Sequence, residues 1–96
     1  MKFATLITFT DQGIRDIVET NNRAIAFTEQ AKATGLAISE LLWLTGRFDG
    51  LMVFEANDLE TASAAMLQLA KSGNVKTETL PAFDSAAMQR VIDKVQ

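Results

Sequence analysis

The chain has 96 residues, 48% of them hydrophobic and 22% charged, with a formal net charge of −3 and neither cysteine nor histidine. This predicts a single globular domain, residues 1–96, with a small core, rather than a disordered chain or two domains. The basic residues are scattered rather than gathered into a stripe, which argues against nucleic-acid binding. Disulfides, thiol nucleophiles and imidazole bases or ligands are unavailable, so no metal site and no cofactor is expected and any acid–base chemistry falls to carboxylates.

No apolar run approaches the ~20 residues of a membrane helix. The opening Met1-Lys2-Phe3-Ala4-Thr5-Leu6-Ile7 is interrupted by Thr8, Thr10 and Asp11 with no small-residue cleavage site. It reads as a strand of a cytoplasmic protein without membrane contact.

Residues 2–9 are apolar on both alternating faces, with Phe3, Ile7 and Phe9 on one and Ala4 and Leu6 on the other, as in a buried central strand. Thr10-Asp11 offers a helix cap, and Ile14, Ile17, Val18, Ile25 and Ala31 recur at helical spacing to about Thr34, where Gly35 supplies a stop. A second strand over 36–45 turns through Gly46–Gly50 into a third over 51–56. Pairing Thr45 with Gly50 sets Leu42 opposite Val53, Glu40 opposite Glu55, and Trp43 beside Met52.

Asn57-Asp58-Leu59-Glu60 resembles a capping box with Asn57 as the cap. The helix it opens has Leu59, Ala62, Ser63, Met66, Leu69 and Ala70 on its inner stripe, and Ser72-Gly73-Asn74 stops it. Val75 to Leu80 forms a fourth strand closed by Pro81, and Asp84-Ser85 caps a last helix with Met88, Val91, Ile92 and Val95 inward. The order is βαββαβ plus a C-terminal helix. It predicts an α+β, ferredoxin-like antiparallel sheet with its helices on one face.

Both faces of the middle hairpin are apolar, so one helix layer cannot keep it dry. The second face would expose several hundred Å², more than a soluble monomer ordinarily carries. The expected cover is a second copy in a homodimer or higher homo-oligomer.

Gly46-Arg47-Phe48-Asp49, Phe54-Glu55-Ala56-Asn57-Asp58 and Gly73-Asn74-Val75-Lys76-Thr77-Glu78-Thr79-Leu80 with Ala82-Phe83 resemble the GYD domain family, named for a glycine, tyrosine, aspartate signature. The resemblance implies a ferredoxin-like domain of the dimeric α+β barrel kind and supplies no established activity. Phe48 stands in place of the signature tyrosine, and Asn57 where proline is expected at the cap.

Four groups are candidates for function. Arg47, Phe48 and Asp49 form a recognition tip, or else a turn in which Asp49 bonds nearby amides and Phe48 plugs the core. Glu40 and Glu55, facing each other, would share a proton as an acid–base pair, or else stand solvated at the sheet rim. Trp43, Leu41, Met52 and Phe54 line a pocket for a small apolar ligand, or else are core. Lys76, Thr77 and Glu78 make a polar row on the last strand. Trp43, Arg47 and Phe54 are thus the candidate ligand-binding residues, and Glu40, Glu55 and Asp49 the candidate catalytic ones. Three functions follow: a homo-oligomeric binding or assembly module; a cofactor-independent isomerase- or oxygenase-type enzyme working through carboxylates, by fold analogy; and a ligand-sensing regulatory domain.

Overall fold

The computed structural model describes residues 1–96. Four strands, β1 (Lys2–Phe9), β2 (Ala37–Trp43), β3 (Gly50–Glu55) and β4 (Val75–Ala82), form one sheet in the order β2-β3-β1-β4. Every neighbouring pair is antiparallel. The helices are α1 (Asp11–Arg15), α2 (Thr20–Ala33), α3 (Leu59–Lys71) and α4 (Ser85–Ile92), with a 3₁₀ turn at Ile17–Glu19 between the first two. Each split β-α-β unit places its own strands with one strand of the other unit between them, which is the ferredoxin-like arrangement. The opening stretch is a central strand, and its Met1 ammonium donates to the Ala56 carbonyl at 2.8 Å.

The helix-facing side of the sheet carries the core. Phe3 and Phe54 are opposite each other in the ladder and wholly buried, their rings stacked at 5.3 Å. Met52 and Ile7 extend this layer, and Ala62, Ala65 and Met66 of α3 close over it. Thr5 is buried among them, its hydroxyl 2.8 Å from that of Thr79 and 3.5 Å from the Met66 sulfur, so its polar atom is paired.

Several expectations are corrected. The first helix is broken, because Ile17 and Val18 are adjacent β-branched residues that favour helix poorly. Ile14, Ile17, Val18 and Ile25 are exposed; of the expected stripe Ala31 is buried, and Phe27 packs against the core with it. The α3 cap is Asp58, whose Oδ1 accepts from the Thr61 amide at 2.7 Å, in place of Asn57. Leu59, Ser63 and Ala70 lie exposed, with Ala65 buried in the stripe that was assigned to them. β4 continues through Pro81 to Ala82, which an edge strand permits because proline's missing N–H need not enter a ladder. Met88, Val91, Ile92 and Val95 of the C-terminal segment are exposed rather than inward. The stops are as read: Gly35 and Gly73 have φ of +94° and +80°, the left-handed conformation that ends helices.

Candidate functional site: the open sheet face and the Trp43 cavity

The β2–β3 register departs from the sequence expectation by two residues, and the cause is steric. Trp43 pairs with Gly50, Leu42 with Leu51 and Leu41 with Met52. A Cβ on Gly50 would sit 3.2 Å from the indole and 3.3 Å from the Ile7 Cβ, so the indole takes the one site across the hairpin with no side chain. The same register sets Glu40 opposite Val53, and a bulge at Ser39 then shifts the remainder by one, leaving Glu55 opposite Ala37. Glu40 and Glu55 are both exposed and do not face each other. Glu55 has Lys2 across the β1–β3 ladder instead. The shared-proton arrangement expected of the two carboxylates therefore has no geometric basis.

Asp49 sits at the loop end of the hairpin, where its Oδ2 accepts from the Phe9 amide at 2.8 Å. Its own amide donates to the Ile7 carbonyl, and its carbonyl accepts from the Leu44 amide, both at 2.8 Å. The carboxylate thus ties the hairpin loop to the end of β1. Arg47 lies exposed with its guanidinium 5.5 Å from the centroid of half-buried Phe48, and Phe48 lies outside the core cluster.

Trp43 is 42% exposed. Its indole N–H donates to the Asn21 side-chain oxygen at 3.0 Å and its ring lies 5.9 Å from that of Phe9. Between the sheet and α2, Trp43, Leu41 and Met52 line a cavity of about 60 Å³ with Phe27, Arg23 and Val75. Phe54 is apart from it, stacked on Phe3 in the core. Pockets that enclose a drug-sized ligand run to roughly 300–1,000 Å³; this one has space for a few waters or a methyl-sized group.

The helix-free face of the sheet is built from alternate ladder positions. Leu42 of β2, Leu51 and Val53 of β3, Ala4 and Leu6 of β1 and Leu80 of β4 share it, by the pairings Leu42–Leu51–Leu6 and Val53–Ala4–Leu80. Leu42 is 48% and Leu80 45% exposed, and no element of the chain covers them. Charged residues rim this apolar centre: Glu40 and Glu55 on the β2–β3 half, Lys2, Lys76 and Glu78 on the β1–β4 half. Leu6, Leu80 and Lys2 escaped the sequence reading as parts of one surface. Their alternation along β1 and β4 was visible, but which neighbour each meets depends on the ladder. Asn21 left no sequence signal, since its partner Trp43 is 22 residues away.

An antiparallel sheet in this strand order, backed by helices on one side and apolar on the other, defines a ferredoxin-like α+β domain with an unshielded sheet face. The chain belongs to the GYD domain family, whose pattern matches residues 3–92. It is 34% identical over 85 residues, 88% of this chain and 90% of the relative, to the glutamine synthetase and cystathionine beta-lyase binding protein of Thermus thermophilus. No helix is long and apolar enough to cross a membrane.

Proposed function

We propose that this protein is a homo-oligomeric binding module whose first partner is a second copy of itself, packed sheet face to sheet face as in a dimeric α+β barrel. The observation that carries the proposal is the apolar centre Leu42, Leu51, Val53, Leu6 and Leu80, which no part of the chain covers. A two-fold axis running along the strands sets β1 of each copy over β3 of the other. Leu6 then meets the partner's Leu51, and Lys2 meets the partner's Glu55. The charges at one end of the sheet favour this axis, because it brings Lys2 of each copy over Glu55 of the other.

The name of the Thermus relative supports proteins as the further ligand class, with glutamine synthetase and cystathionine beta-lyase type enzymes the first partners to try. The small volume beside Trp43 supports outer surfaces over an interior pocket as the binding element. Sedimentation equilibrium at micromolar concentration tests the self-association. Wild type is expected at dimer mass or above, and Leu51→Glu, which puts a charge at the interface centre, is expected to weaken association at least about a hundredfold. Leu51 points away from the core, so the variant retains its circular dichroism. A monomeric wild type, or a Leu51→Glu variant of unchanged mass, overturns the reading.

A further inference from the structure

Two more apolar surfaces on this chain lack a partner, and they complement each other. One is α4, an eight-residue helix capped by Asp84, whose Oδ1 accepts from the Ala87 amide at 2.8 Å. Met88, Val91 and Ile92 mark its apolar stripe at i, i+3 and i+4, each between 38% and 47% exposed. The other is a groove of about 740 Å³ between α3 and the edge strand β4, lined half by hydrophobic residues, among them Leu59, Met66 and Leu67, and half by others such as Thr77, Thr79 and Pro81. Leu59 and Leu67, 57% and 70% exposed, stand on it with nothing in the core to meet. A helix of this length spans about 12 Å, and apolar stripes of this spacing are the ones that seat in such grooves.

On its own chain α4 does not enter this groove, whose lining includes none of its residues. β4 runs straight to Ala82, and Asp84 remains extended with ψ of −179°. The apolar stripe of α4 accordingly stays exposed on its own chain. The molecule is correspondingly long, 51 × 31 × 18 Å, with a radius of gyration of 14.5 Å against about 12.5 Å for a compact domain of this length. We infer that α4 of one copy seats in the α3–β4 groove of a second copy, the two chains exchanging helices reciprocally about a two-fold axis. This contact uses a surface distinct from the open sheet face and stands whether or not that face pairs. Exchange of a terminal helix is a low-cost route to a closed assembly, because each copy gives the element it receives.

The absence of cysteine makes a clean disulfide trap available. Chains carrying Met88→Cys are mixed with chains carrying Leu67→Cys, and in parallel Ile92→Cys chains with Leu59→Cys chains, under mild oxidation at micromolar concentration. All four positions are exposed, so the substitutions do not threaten folding. Seated thiols meet at an effective concentration near millimolar, so in at least one mixture the mixed disulfide is expected to form roughly a hundredfold faster than in a control pairing Met88→Cys with Glu29→Cys. Control-level rates in both mixtures overturn the inference. So does ring closure within one chain of the Met88→Cys, Leu67→Cys double variant, which would seat α4 in its own groove. Repeating the trap in the Leu51→Glu background separates the two contacts: a persisting mixed disulfide leaves the exchange standing even if the sheet-face reading has failed.

Discussion

Gly13 shows how one atom decides the sign of a substitution. It is buried in α1, and a Cβ there would lie 2.1 Å from the Asn74 carbonyl oxygen. This is the point where α1 locks onto the α3–β4 connection, flanked by Thr10 donating to the Gly73 carbonyl at 2.6 Å and Gln12 to the Ser72 carbonyl at 3.0 Å. Glycine to alanine inside a helix ordinarily stabilises by about 0.5–1 kcal/mol. Here the obstacle is backbone, which cannot rotate away, so Gly13→Ala is expected to destabilise by roughly 1–3 kcal/mol as an overpacking change. A lower urea midpoint with unchanged slope checks it. Asp49 and Gly50 carry the same lesson: one ties the loop to β1 and the other leaves room for an indole, and between them they set the hairpin register.

At the level of elements, the capping carboxylates make α3 and α4 sensitive to pH. The Thr61 amide, with the Thr61 side chain adding to it, holds the Asp58 carboxyl below its ordinary value of 3.8. The Ala87 amide does the same for Asp84, helped by the charges of Lys2 and Arg90 and opposed by desolvation. A carboxyl lowered in the folded state stabilises above its unfolded pKa, and the contribution is lost as pH falls through the folded value. Asp58→Ala is therefore expected to lower the melting temperature by a few degrees at pH 7, with the difference from wild type shrinking below about pH 3.8. Asp58→Asn retains a cap acceptor and removes the titration, so its melting temperature should follow a flatter pH profile. Thermal melts across that range read both outcomes. α2 and α3 also show where apolar spacing holds and where it fails: Ala31, Ala62 and Met66 are buried as their spacing predicts and Ala65 joins them, while Ile25 and Leu59 remain outside.

For the whole molecule, the proposed sheet-face dimer makes a prediction that a single chain cannot mimic. Lys2 and Glu55 are neighbours within one sheet and, by the two-fold along the strands, also neighbours across the interface. Lys2→Glu chains bring only acidic groups to both contacts, and Glu55→Lys chains only basic ones, so each homodimer suffers like-charge repulsion. Mixed together, the two variants oppose unlike charges at every intermolecular contact. Native mass spectrometry of the mixture should show heterodimer well above the statistical half, on the order of several-fold over either homodimer, and more weakly at high salt. A purely statistical distribution would mean that the faces do not meet in this orientation.

The order of strands, the glycine stops and the two-sided apolarity of the middle hairpin were legible because they are local. Gly35 and Gly73 stop helices wherever they occur in such a run, Asp84 caps the helix it precedes, and alternation along a strand needs no partner to be read. Which stripe of each helix points inward, which residues share a row of the sheet, and whether Glu40 meets Glu55 were settled only by the assembled fold. Those depend on Gly50 lying beneath Trp43, on the bulge at Ser39 and on Asp49 bonding a strand 40 residues away. Contacts of that range leave no periodic trace in the chain, because their partners are chosen by space rather than by spacing.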